Sequence, residues 1–317
     1  MPDSPIAPTP YEVLGVDARC SMDELRRAYR RMLRETHPDT GGVAVQFHAV
    51  QAAWDTIGTE VSRRAYDSGA SRQSPSSASG ASGSTAHAGW APGEAPNRRG
   101  TRPAPREYGS AGVAERDEYL RLLADWNPAF VGAPYAATTV RSAPAPLRRV
   151  LAKALAEEAT GYELSNLGIG FTIWHGISTA TSAPGEPNEK LDHVVLGASG
   201  LFAISSEDWG GPVRLRKGEL IGAGIGDAAP VNALTIRARY LSRTCKVPFT
   251  AALVVIPDGA SDDSVALLGS MRGIPTVLVQ RSRLGDVLRR GLGSAPFRGG
   301  AEVFDIRTRL SAGVRFA

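Results

Sequence analysis

The chain has 317 residues, 42% apolar and 21% charged, with a formal charge of +4 from 36 basic and 32 acidic side chains. That length admits about two domains of roughly 100–200 residues each, and so small an excess of positive charge gives no argument by itself for a nucleic-acid partner. No apolar run approaches the ~18 residues of a membrane span. The opening MPDSPIAPTP lacks the basic patch and apolar segment of a leader peptide. Cys20 and Cys245 lie far apart with no CxxC pair. A soluble cytoplasmic protein is expected, without metal, cofactor or membrane contact. The basic residues are almost all arginine, the lysines being only Lys153, Lys190, Lys217 and Lys246; this reads as a compositional bias and not as a functional feature.

In chain order, YEVLGV (11–16) predicts a short helix that inserts Leu14 and Val16 between later elements. SMDELRRAYRRMLR follows, with Ser21 as N-cap and Glu24 three residues on, the pattern of a capping box. Leu25, Ala28, Tyr29, Met32 and Leu33 form one stripe of this helix, and Arg26, Arg27, Arg30, Arg31 and Arg34 fall largely on the other face. ETHPDTGG (35–42) ends it. A second helix carries Phe47, Val50, Gln51, Trp54 and Ile57 at i, i+3, i+4 and i+7 spacing. Two such helices joined by a tight connection make an αα-hairpin, whose tip presents His37, Pro38 and Asp39. RRAYD (63–67) closes the unit.

Residues 68–112 contain no Leu, Ile, Val, Met or Phe. Ser, Gly, Ala, Pro and Arg cannot bury enough apolar surface to offset their ordering entropy, so a flexible linker is expected. From Val113 the periodicity returns. Helices are predicted over VAERDEYLRLLADW, over PLRRVLAKALAEEATGYELSNLG, from about 230 to 244, and over SRLGDVLRRGL. Strands are predicted over FTIWHGI, LDHVVLG, GLFAISS, PVRLRKGELIG, AALVVIP and IPTVLVQ, with AEVFDI and GVRFA pairing as edge strands. The order implies an α/β domain with a mixed sheet. The domains are therefore expected at 1–67, 68–112 (linker) and 113–317. GELIGAGIG lacks the Lys-Ser/Thr of a phosphate loop and reads as a turn. His175 in FTIWHGI reads as structural.

YEVLGV, the basic helix, HPD, FHAVQAAWDTIG and RRAYD together resemble the J domain of DnaJ-type co-chaperones over about residues 8–67. The resemblance implies a small all-α domain that docks on a DnaK-type chaperone and stimulates its ATP hydrolysis. It assigns the contact to His37, Pro38 and Asp39, with Arg26, Arg27, Arg30 and Arg34 as docking charges against an acidic surface. Those side chains suit the task. A carboxylate can make a charge-assisted hydrogen bond to a cationic partner, and proline limits the entropy lost on docking. The Gly/Phe-rich segment and cysteine-rich zinc domain of a large DnaJ are missing, and the basic residues near the closing helix are only Arg63 and Arg64.

NEKLDHVVLGASGLFAISSEDWGGPVRLRKGELI (188–221) resembles the nuclease-related domain (NERD) of the restriction-endonuclease fold, with Asp192, His193, Gly200, Leu201, Phe202, Ile204, Trp209 and Gly211 in step. Such nucleases hold a divalent metal between an Asp and a Glu, with a Lys two residues beyond the Glu. Asp192 occupies the Asp position, but Ser205 stands at the Glu position and Glu207 at the Lys position. A hydroxyl is a poor ligand for a hard cation, and Glu207 cannot supply positive charge. The expectation is an inactive nuclease-like domain that binds a client or partner, so that the chain is a co-chaperone and not an enzyme. The alternatives are a metal-dependent nuclease, its metal held by Asp192, Glu207 and Glu157 or Glu158, or a nucleic-acid-binding protein with an accessory J domain.

Overall fold

Capping boxes set the start of the first two helices. Thr9 accepts a hydrogen bond from the Glu12 amide and Glu12 accepts one from the Thr9 amide, opening α1 (Pro10–Leu14); Ser21 and Glu24 do the same for α2 (Met22–Glu35). Each pair satisfies amides that a helix start leaves without an intrahelical acceptor. The computed structural model describes residues 4–37, 41, 43–68, 90–92, 103–179, 190–216, 218–222, 224–225, 229–293 and 298–317. The chain divides into two compact units, one made of Ala7–Pro92 with Val131–Pro144, the other of Met1–Ile6, Gly93–Phe130 and Ala145–Ala317.

The first unit is helical. α3 (Ala44–Ile57) packs against α1 and α2, and α4 (Glu60–Asp67) follows. Its core is Tyr11, Leu14, Leu25, Val50, Ala53, Ile57 and Tyr66. Leu14, Leu25 and Ile57 are fully buried, each contributing about 1.5–3 kcal/mol by removal from water. Tyr29 stacks on Trp54 with ring centroids 4.3 Å apart. The two ends of the unit are tied together. The Tyr11 hydroxyl donates to Asp67 at 2.8 Å, and Arg63 donates to the Tyr11 hydroxyl at 2.9 Å and to the carbonyls of Ala18 and Cys20 at 2.9 and 2.7 Å. Burial, with the Asp67 carboxylate beside it, pushes the Tyr11 phenol up to about 12. Arg63 is thus committed to structure, which leaves Arg64 as the exposed cation of RRAYD.

In the second unit, α5 (Val113–Trp126) packs on α7 (Ala145–Ser165); α6 (Ala137–Ser142), which lies between them in sequence, belongs to the first unit. The sheet consists of β1 (Arg106–Tyr108), β2 (Thr172–Ser178), β3 (Lys190–Gly197), β4 (Gly200–Ser206), β7 (Ala251–Ile256), β8 (Val265–Met271) and β9 (Ile274–Gln280), in the order β1-β2-β3-β4-β7-β9-β8. β5 (Arg214–Arg216) and β6 (Glu219–Ile221) form a separate hairpin. β3 pairs antiparallel with both β2 and β4, while β4, β7 and β9 run parallel. α8 (Pro230–Cys245) connects β4 to β7 through that hairpin, α9 (Arg281–Arg290) follows β9, and α10 (Gly300–Gly313) ends the fold.

Alternation along the central strands separates two cores. Ala252, Val254 and Ile256 face Leu234, Ala238 and Leu241 of α8 with Ile306 and Leu310 of α10, while Ala251, Leu253 and Val255 face Leu164 of α7 with Leu284, Val287 and Leu288 of α9. A sheet covered on both sides explains why AALVVI reads as an unbroken apolar run. At the β3–β4 turn Gly200 has φ +142°, and a Cβ there would stand 2.2 Å from Thr250 Oγ1; only glycine fits.

Two sequence expectations change. AEVFDI is not an edge strand: it lies in α10, because Val303, Ile306 and Leu310 recur on a helical period and bury one face against α8. Of GVRFA, Phe316 forms a single antiparallel bridge to Ile177. VALLGSM, outside the predicted strands, is β8, paired with β9 around an irregularity at Leu267 and Gly269. Most of the expected linker lies outside the described residues; its last part includes β1, whose Tyr108 stacks on Trp174. Among the described residues no helix is long and apolar enough to cross a membrane.

Candidate functional site

On the first unit, α2 exposes Arg26, Arg27, Arg30, Arg31 and Arg34, five cations in nine residues. Asp23 lies 3.3 Å from Arg26, and both partners are exposed, so the pair does little to cancel the field. Arg27, Arg30 and Arg34 each donate from Nε to the carbonyl four residues back. Beside this face runs an open groove of about 690 Å³, lined by Val16, Cys20, Ala28, Arg27 and Arg31. Thr36 closes α2 by donating from both its amide and its hydroxyl to Met32 O. His37 follows, half-buried, its ring edge-on to Phe47 at 5.1 Å. Pro38 and Asp39 lie outside the described residues.

In the second unit the start of β3 and the end of β4 lie side by side, and α7 crosses them. Asp192, Ser205 and Glu207 do meet there, joined by a residue that sequence reading passed over. Lys153 of α7 donates to Asp192 Oδ2 at 2.6 Å, to Glu207 Oε1 at 2.8 Å and to Ser206 O at 2.8 Å, with Ser205 Oγ at 3.4 Å. Ser205 donates to Glu207 at 2.5 Å, and the Ser206 amide donates to Asp192 Oδ2 at 2.7 Å. A second ammonium, Lys190, sits 2.6 Å from Glu157 Oε2, 2.9 Å from Glu115 and 3.9 Å from Asp192 Oδ1. Glu157 also accepts from the Gly112 amide at 3.2 Å. Glu158 does not join: it forms a two-pronged pair with Arg116 at 2.7 and 2.8 Å.

Burial sets the electrostatics. It opposes the Lys153 ammonium, but the Asp192, Glu207 and Glu157 carboxylates outweigh it and hold Lys153 above the ordinary lysine range. Asp192 is likewise opposed by burial, yet Lys153 and Lys190 hold it well below the ordinary carboxylate range. Glu157, fully buried, is pushed well above that range by burial and by the neighbouring Asp192 charge, and its Oε1 has no hydrogen-bond partner. Among the described residues no three His, Cys, Asp or Glu side chains are spaced to hold a metal.

Next to Asp192, His193 and His175 face each other across the β2–β3 pair with their Nδ1 atoms 2.8 Å apart, and His193 Nε2 is 3.1 Å from Ser206 Oγ. Protons on both Nδ1 atoms would point two N–H groups at one another, so one ring accepts there and the two cannot both be cations; burial disfavours the charge on either. Burial, aided by the Lys190 charge, lowers His175 to about 4, and burial and His175 lower His193 well below 6.5. The unfolded chain, with its histidines near 6.5, binds these protons first as pH falls. The contribution to stability is therefore complete above about pH 6.5 and is lost toward pH 4. For His175 this loss is on the order of 3 kcal/mol. Denaturant unfolding of the C-terminal unit should show stability falling over that window, and His175→Gln should flatten the slope by about one proton; a wild-type slope of zero would contradict the neutral pair.

Lys153 and Lys190 did leave a signal. They are two of only four lysines in the chain, and Lys153 lies in a helical run between Val150 and Ala154, where a long cation is out of place unless paired. Their partners lie 39 and 33 residues away, beyond the reach of local patterning.

Comparison with known proteins places the first unit. A family model, the DnaJ domain, matches residues 9–67. Chaperone protein DnaJ of Streptococcus mutans is 43% identical over 60 residues, which are 18% of this chain and 16% of that protein. Chaperone protein DnaJ of Bifidobacterium longum is 39% identical over 72 residues, 22% of this chain and 19% of that one. The tetratricopeptide repeat and J domain-containing co-chaperone DNJ1 of Mycosarcoma maydis is 42% identical over 59 residues, 19% of this chain and 10% of that one. The chain thus spans about a tenth to a fifth of the length of these relatives. No solved structure matches it. Residues 9–67, with their tied helical ends and basic α2, are a J domain.

Proposed function

We propose that the chain is a co-chaperone that docks through its J domain on a DnaK-type chaperone and stimulates ATP hydrolysis there. The observation that carries this is the exposed arginine face of α2 leading directly into His37, within a segment matched over its whole length by the DnaJ family model. A face of five cations speeds and orients encounter with an acidic surface, and the His37–Pro38–Asp39 connection then makes the short-range contact. The J domain carries out no chemistry of its own; it favours one state of its partner by binding that state better.

The C-terminal unit fits a nuclease-like scaffold that selects a client or partner without cleaving nucleic acid. The helix α7 ahead of β2, β3 and β4 and the strand and helix order after them support this reading. The Lys153 bridge between Asp192 and Glu207 supports the absence of chemistry.

Docking is tested by titrating the full chain against the host's DnaK-type chaperone in its ATP and ADP states. Binding is expected in the ATP state, weakening as salt rises, and falling at least about tenfold in Arg26→Glu/Arg27→Glu/Arg30→Glu, a loss of ~1.4 kcal/mol. Equal affinity for both nucleotide states would contradict the proposal. For the C-terminal unit, incubation with DNA and magnesium or manganese should give no cleavage. Cleavage lost in Asp192→Asn would reinstate a nuclease.

A further inference from the structure

We propose that Lys153 and Lys190 are built-in cations standing where a nuclease of this fold would hold a divalent metal, so that the C-terminal unit balances its buried carboxylates without metal. The inference deepens the non-catalytic reading of this unit, but it rests on the geometry of the cluster.

A divalent cation of the hard kind takes carboxylate oxygens at about 2.0–2.6 Å and needs several of them turned to one point. Here one oxygen of each of three carboxylates is already engaged twice, while Glu157 Oε1 and Glu115 Oε2 have no hydrogen-bond partner. Asp192 Oδ2 accepts from Lys153 and from the Ser206 amide; Glu207 Oε1 accepts from Lys153 and Ser205; Glu157 Oε2 accepts from Lys190 and the Gly112 amide. Asp192 Oδ1 faces Lys190 at 3.9 Å. A metal would have to displace a lysine whose side chain is only 24% exposed, or one only 5% exposed, and leave it charged and unpaired. That costs several kcal/mol in a low-dielectric site. The residues therefore do not fit a resident metal.

The sequence change is coherent with this. The fold family's lysine position holds Glu207 and its glutamate position holds Ser205, while the positive charge comes from α7. The ammonium of Lys153 lies within 2.6–2.8 Å of both acids, so charge that a metal would neutralise is neutralised from within the chain. Because lysine is tethered, the balance survives at any metal concentration.

The test uses the full chain stripped with EDTA and titrated with MnCl₂, read by calorimetric binding and by thermal unfolding. The wild type is expected to bind no Mn²⁺ in this unit and to show no shift. Lys153→Ala vacates the cation position between Asp192 and Glu207 and is expected to gain a Mn²⁺-dependent rise in unfolding temperature, roughly 5 °C at a hundredfold excess over its Kd. Lys153→Ser serves the same purpose should the alanine variant fail to fold, and the wild-type arm needs no variant. Mn²⁺ stabilisation of the wild type that disappears in Asp192→Asn would overturn the inference. So would a silent response from folded variants, since the ammonium would then not mark a cation position. Either result without DNA cleavage leaves the non-catalytic reading standing; cleavage would sink that reading separately.

Discussion

Asp192→Ala is expected to lower the unfolding free energy of the C-terminal unit by roughly 3–5 kcal/mol, the cost of breaking a buried ion pair by removing one partner. Asp192 is 2% exposed and, among the described residues, is the one that forms ion pairs with both ammonium groups. Without it Lys153 keeps Glu207, Lys190 keeps Glu157 and Glu115, and the Ser206 amide loses its acceptor in the interior. An unmet buried amide alone costs about 1–3 kcal/mol. The double variant Lys153→Ala/Asp192→Ala should cost clearly less than the sum of the two single changes, because it removes the charges together. Denaturant unfolding of all three variants supplies the cycle. A cost for Asp192→Ala below about 1 kcal/mol, the range of an exposed pair, would contradict the network as drawn.

His37→Gln is expected to abolish stimulation of the partner's ATP hydrolysis while leaving the J domain folded. The two halves of the prediction have separate causes. α2 is held by its Ser21–Glu24 capping box, its Leu25 and Ala28 contacts and the Thr36 bonds to Met32, none of which involves the His37 side chain. His37 contributes an imidazole placed edge-on to Phe47 directly after the helix cap. Glutamine keeps a polar side chain of similar reach but not the ring, so helicity and melting temperature should stay within the small range of a surface change. A variant that stimulates like the wild type would move the functional contact elsewhere.

What the sequence discloses follows the range of the interaction that decides each feature. The Ser21–Glu24 capping box, the Leu25–Ala28 stripe and the Val50–Ile57 stripe are settled within a few residues, and the structure places them as read. The parallel strands AALVVI and IPTVLVQ were legible because burial on both faces leaves an apolar run. AEVFDI misled because six residues sample too little of a helical period; Leu310, beyond the quoted stretch, completes the buried face. β1 was hidden because its pairing with β2 is set by residues more than sixty positions away, not by its own composition. Partners 39 and 33 residues away likewise hid the roles of Lys153 and Lys190. Asp192, Ser205 and Glu207 could be named from the order of a motif, but the cation between them comes from a different helix. His175 read as a solitary strand histidine until the β2–β3 register set His193 opposite it.

The central claim is that this chain acts on a DnaK-type chaperone, and single-turnover ATP hydrolysis by the host's chaperone tests it most directly. The rate is measured alone, with the full wild-type chain, and with His37→Gln at the same concentration. The account predicts that the wild type accelerates hydrolysis in a concentration-dependent, salt-sensitive manner and that His37→Gln returns the rate to that of the chaperone alone. A folded wild-type chain that leaves the rate unchanged at every concentration would contradict it.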